Sequence, residues 1–229
     1  MYNLALLFLS TGFVVLFARY CSKYGKEALI ALIAIQSVLA NIFVLKQITL
    51  LGLNATASEV FVIGSIISLN FLQARHGAKA ARQAVWIAFM SMFFFCVMSQ
   101  IHLLYLPSSL DTQHEAYSAL FSSAPRILFA SLSVYFVVQH LSVILFSYGK
   151  KQLPGLPNTF LILSCLLLTQ LLDTVLFGFL GLYGLVDKIT EVMFISFSIK
   201  MLVILISMPF TELSSFFMPP PKTNPEIKN

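Results

Sequence analysis

A carboxylate, Asp173, sits inside the run Leu166-Leu-Leu-Thr-Gln-Leu-Leu-Asp-Thr-Val-Leu-Phe-Gly-Phe179. Gln170, Asp173, Thr174 and Phe177 fall at i, i+3, i+4 and i+7, so on a helix they share one face. An ionised Asp at the centre of a spanning helix costs roughly 2.5–3.5 kcal/mol on insertion scales. Such a group is expected to face the protein interior and to have a partner. Lys200, in Ile195-Ser-Phe-Ser-Ile-Lys-Met201, is the candidate. If the last two helices turn near Val186, Asp173 lies 13 positions before the turn and Lys200 lies 14 after it. The two then stand at similar depth. Two compatible readings follow: a structural ion pair that neutralises two buried charges, or the polar wall of a substrate site. Intramembrane ionisable groups are functional by default, which favours the second.

Further polar side chains occur at membrane depth. Gln36, Ser37 and Asn41 lie in one apolar run and Ser65, Ser68, Asn70 and Gln73 in the next. Singly, each serves equally well as helix–helix glue, worth about 0.6 kcal/mol. Together with the Asp173 face and Lys200 they point to a shared central cavity.

The elements that must position these groups are read from composition. Hydrophobic residues make up 59 % of the 229 positions, phenylalanine alone contributes 22, and 10 % are charged. Globular domains sit near 45–50 % apolar and about 25 % charged. Seven apolar segments can be marked, at 2–18, 28–45, 58–74, 84–106, 126–147, 159–183 and 189–209. Each is long enough to cross about 30 Å of hydrocarbon. Lipid offers backbone groups no partners, so helices are expected, and the absence of alternation argues against a barrel. The fold class is all-α, a polytopic integral membrane protein with about seven transmembrane helices. The first segment lacks a basic n-region, so it reads as a retained helix rather than a signal peptide.

Basic residues set the expected orientation. Arg19, Lys23, Lys26, Arg75, Lys79, Arg82, Lys150, Lys151, Lys222 and Lys228 fall in alternate loops and the tail. The intervening loops hold only Lys46, Arg126 and Lys188, accompanied by Glu59, Asp111, Glu115, Asp187 and Glu191. By the positive-inside rule the first set is cytoplasmic, the N-terminus outside and the C-terminus inside. Residues 149–158 read as a Pro/Gly turn, and 211–229 as a disordered cytoplasmic tail.

Signals for other chemistry are missing. Cys21, Cys96 and Cys165 are scattered and read as packing residues. His102 and His140 match no ligand spacing and read as packing or hydrogen-bonding groups, while Trp86 reads as an interfacial anchor. Walker, G-x-S-x-G and H-E-x-x-H patterns do not occur. The expectation is a chain that is not an enzyme and needs no cofactor or metal.

Several stretches resemble one family. Gln170-Leu-Leu-Asp-Thr-Val-Leu-Phe177 looks like the signature of the queuosine-precursor transporters, also labelled vitamin-uptake transporters. Leu39-Ala-Asn41 followed by Lys46 is similar to the family's Asn-containing early helix. His76-Gly-Ala-Lys-Ala-Ala-Arg82-Gln-Ala-Val-Trp86 resembles its cytoplasmic loop. Arg126, followed by Ser131, Tyr135 and Gln139, resembles its fifth span in this chain, and Lys200 sits where the family places a lysine. The resemblance covers about residues 30–210. It implies a six-helix transporter core at 28–210, preceded at 1–27 by an additional helix and basic loop. Asn70 stands where the family usually has Asp, Gln73-Ala74 where it has Glu, His76 for Tyr, and Ser142 for a common acid. Those departures imply a changed pocket charge.

The resemblance further implies import, across a bacterial inner membrane, of a 7-deazaguanine base for tRNA modification. The base is 7-cyano-7-deazaguanine, its aminomethyl analogue or queuine. The partners are then this planar base and the lipid bilayer, with no nucleic acid. A deazaguanine carries an N–H and an amino group along one edge, and a carboxylate accepts both. Asp173 is the expected acceptor, with Gln170, Asn41 or Asn70 contacting the carbonyl and remaining nitrogens. Thr174, Lys200, Phe177 and Arg126 complete the expected site. The alternative is a substrate-binding membrane subunit driven by a separate ATPase.

Overall fold

Apolar runs in lipid leave backbone N–H and C=O groups only one another as partners, and helices dominate the chain. The computed structural model describes residues 2–43, 46–50, 53–121, 125–184 and 189–217. In order these form α1 (Tyr2–Cys21), α2 (Lys26–Phe43), a hairpin of β1 (Gln47–Leu50) and β2 (Leu53–Thr56), α3 (Glu59–Leu103), α4 (His114–Phe121), α5 (Pro125–Gln152), α6 (Asn158–Phe177) and α7 (Ile189–Phe217).

Helices α1, α2, α3, α5 and α6 are long and apolar enough to cross a membrane, and α7 carries an apolar stretch at Met193–Leu205. Helix α3 has 45 residues, about 68 Å at 1.5 Å per residue, twice the thickness of a hydrocarbon core. It supplies two passes, because Gly77 breaks the helical path with φ 79° and ψ 172°. The passes number about seven, as the apolar segments predict.

Five boundaries differ from the sequence reading, one of them at residues 149–152, expected in the Pro/Gly turn but helical as the end of α5. Residues 75–83 were expected as a loop, yet only Gly77 leaves helical geometry. Ala78, Lys79, Ala80, Ala81 and Arg82 are strong helix formers, so the helix resumes at once. The segment after α2 falls between two apolar runs. It forms an antiparallel hairpin pairing Gln47 with Thr56 and Leu50 with Leu53, closed at its base by Ala57 N–H donating to the Lys46 carbonyl (2.8 Å). A short helix, α4, lies in the connection between α3 and α5. Helix α7 runs through Pro209 to Phe217, beyond the expected limit at 209. The rest of the expected tail, residues 218–229, lies outside the described residues.

Two apolar clusters hold the helices together. One joins Leu7, Val15 and Ala18 of α1 to Ile63, Ile66 and Ile67 of α3, Leu166 of α6 and Val203 of α7. The other joins Leu29 and Ile33 of α2 to Leu69, Ala81, Ala84 and Ala88 of α3 and Val143 of α5. Helix α1, expected as an addition to the core, thus packs into the same interior. Large apolar side chains such as Phe13, Phe94, Phe160 and Phe194 are exposed on the outer faces of these helices, where lipid is their natural solvent.

Candidate functional site

Helix α6 presents Gln170, Asp173 and Thr174 on one stripe, and α7 lies against it. Gly178 permits this approach, since a Cβ there would meet Met193 Sδ at 2.7 Å. Just past Phe177 the helix widens into a π-turn at Gly178–Leu182, a distortion common at functional sites.

The Lys200 ammonium donates to Asp173 Oδ2 and to Thr174 Oγ1 at 3.2 Å. Thr174 gives its only proton to the Gln170 carbonyl, 2.9 Å away, so its oxygen is free to accept from Lys200. Lys200 is 5 % exposed and the Asp173 side chain 20 %. The pairing expected from equal depth is therefore present, with the carboxylate the more accessible partner. Burying two charges is costly even when paired, and removing one partner costs far more, about 3–5 kcal/mol.

Glu59 belongs to this constellation, and sequence reasoning missed it. It opens α3, where an acid in the first turn is an ordinary feature, so it reads as a loop charge. In the structure it is buried and lines one cavity with Ile199, the chain neighbour of Lys200. Thr56 Oγ1 donates to Glu59 Oε1 at 3.4 Å, whereas Oε2 has no hydrogen-bond partner among the described residues.

A second polar group crosses α2, α3 and α5. Ser131 donates to Asn41 Oδ1 (3.2 Å), Ser37 donates to Tyr135 Oη (2.8 Å), and Gln139 Nε2 donates to Ser65 Oγ (3.1 Å). Toward the Gly77 end of the same helices, Gln73 Nε2 donates to the Val143 carbonyl and to Ser147 Oγ, both at 2.7 Å. Between these two clamps on α3 and α5 fall Asn70 and Ser142, each 0 % exposed. Both side-chain amide atoms of Asn70, both of Gln170, Gln139 Oε1 and Ser142 Oγ are buried with no partner among the described residues. Buried polar atoms are normally satisfied, which sets these apart from the clamped amides around them.

The structure thus brings Asp173, Thr174 and Lys200 together, adds Glu59, and leaves the Gln170 and Asn70 amides free. Asn41 is engaged by Ser131 in the α2–α5 group rather than by the ion pair. Phe177 is half-buried on the Asp173 face. Arg126 falls at the second residue of α5; its side chain lies outside the described ones. His140 Nδ1 donates to the Phe136 carbonyl at 3.0 Å and its ring packs edge-on to Trp86, so His140 is a packing and hydrogen-bonding group here.

The model of the family described as "Putative vitamin uptake transporter" matches residues 56–214. The chain belongs to this family of vitamin uptake transporters. The matched region contains both carboxylates, Lys200, Asn70 and Gln170. A "Probable queuosine precursor transporter" from Bacillus subtilis (strain 168) is 29 % identical over 204 residues, covering 86 % of this chain and 87 % of the relative. No solved structure matches the chain. Family and helices together make it a multi-pass membrane transporter.

Proposed function

We propose that this transporter imports a queuosine precursor, a planar 7-deazaguanine base, across the inner membrane of a bacterial cell. The observation that carries the reading is the set of buried, unpartnered amides: Asn70 on α3 and Gln170 on α6 each offer a donor and an acceptor in a water-poor interior. A guanine-like edge is made of alternating donors and acceptors and satisfies such groups. Asp173 accepts the base's N–H and amino group, Lys200, itself held by Thr174, positions that carboxylate before the base arrives, and Phe177 lies on the same face. The relative's name supports this substrate class. The N-terminus faces outside and the C-terminus the cytoplasm, in keeping with the basic loops.

The test expresses the chain in a bacterium lacking both queuosine synthesis and its own importer. Each base is fed separately, and tRNA is assayed for queuosine alongside direct uptake of labelled base. Restored queuosine with at least one base is the expected result; failure of all three in both assays refutes the reading. Uptake by purified protein in liposomes without ATP is expected as well, and a strict ATPase requirement would overturn the self-sufficient carrier.

A further inference from the structure

Lys200 donates to one of the two Asp173 oxygens, so a base that takes both oxygens competes with the ammonium for Oδ2. The Lys200 ammonium has three N–H donors, of which Asp173 and Thr174 take two. Glu59 Oε2 is an acceptor with no hydrogen-bond partner among the described residues, on a residue only 6 % exposed. Glu59 and Ile199, the neighbour of Lys200, line one cavity of about 510 Å³ between α1, the hairpin, the start of α3 and α7. Its volume falls within the roughly 300–1,000 Å³ of small-molecule sites. Asn3, Ser10 and Thr56 give it polar groups. A lysine side chain has a flexible four-carbon stem, and an unpaired carboxylate oxygen in a buried position is destabilising until a cation or donor reaches it.

We propose that Glu59 is the second acceptor of Lys200 in the transport cycle: a base that enters by this cavity takes the Asp173 carboxylate, and the Lys200 ammonium passes to Glu59. This rests on Asp173 being the base acceptor, as in the proposed function. No covalent bond changes. The charge of the cluster is constant while the salt bridge changes hands, so the buried ammonium is never left without a carboxylate. Glu59 acts through Lys200 and is a positioning residue for binding.

The experiment measures equilibrium binding of tritiated 7-cyano-7-deazaguanine, its aminomethyl analogue and queuine to the full chain in lipid nanodiscs. For the base bound tightest, Glu59→Gln is expected to weaken binding about tenfold or more, as for loss of a charge-assisted hydrogen bond. In a Lys200→Met background the same substitution is expected to change binding by less than about threefold, because there is no ammonium left to relocate. Equal losses in both backgrounds, or less than a twofold loss in the first, overturn the proposal. A measurement on the wild-type chain guards against variants that fail to fold. Infrared difference spectra on adding base are expected to show two perturbed carboxylates, and one alone overturns the proposal. Binding of none of the three bases by the wild-type chain refutes the carrier reading and this proposal with it, whereas binding with additive variants refutes this proposal alone.

Discussion

Lys200 on α7 donates to the Asp173 carboxylate on α6 deep within the helix bundle. The contact is an ion pair that ties these two helices together. It also means that a substitution at either end tests stability and function at once, and the two must be separated.

Asp173→Asn leaves a buried ammonium without its counter-ion, a change that costs about 3–5 kcal/mol in buried pairs. A clear fall in thermal stability in detergent is expected, with uptake reduced at least tenfold. Adding Lys200→Met removes the stranded charge. The double variant is expected to regain most of the lost stability while uptake stays low. Recovery of uptake in the double variant would show that the carboxylate serves structure alone.

Gln170→Leu makes the opposite separation. Both amide atoms of Gln170 are buried and have no partner among the described residues, and an unsatisfied buried polar group costs about 1–3 kcal/mol. Replacing it with an apolar side chain of similar volume is expected to keep or raise the melting temperature while lowering base uptake several-fold. Asn70→Leu is expected to behave alike. A variant that melts much earlier and transports normally would mark these amides as structural.

Much of this arrangement was legible in the residues. The spans followed from length and hydropathy, which is the strongest constraint lipid imposes. The Asp173–Lys200 contact followed from equal counts on either side of a turn. What was not legible depends on tertiary placement. Glu59 looks like any acid at a helix start until the hairpin and α7 close over it. Asn41 shares its polarity with Asn70, and only packing sends one to Ser131 and leaves the other without a partner. The hairpin is two short strands of four residues each, too brief for a periodic signal to stand out against apolar surroundings.

Orientation is tested at the ends of the bundle. Arg75 Nη1 donates to the Ser22 carbonyl at 2.7 Å, which places the α1–α2 turn and the Gly77 kink on the same side. That side also gathers Lys23, Lys26, Lys79 and Arg82, so the positive-inside rule predicts that it faces the cytoplasm. A fluorescent protein fused to the C-terminus is expected to be bright. Alkaline phosphatase inserted after Ser108, in the exposed connection between α3 and α4, is expected to be active. The reverse pattern would invert the topology.

Gly77 is the residue on which the double passage of α3 depends. Its φ of 79° and ψ of 172° lie in a region open essentially to glycine alone, and other residues are strained there by about 1–3 kcal/mol. A Cβ at this position meets nothing within 4 Å, so the penalty for Gly77→Ala is purely conformational. The variant is expected to lose thermal stability by that amount, with no compensating loss at Gly155, where a Cβ also meets nothing and no positive φ is required. Comparing Gly77→Ala with Gly155→Ala in the same detergent measures backbone strain against a control of equal steric cost. Equal melting temperatures would show that the kink tolerates an ordinary residue.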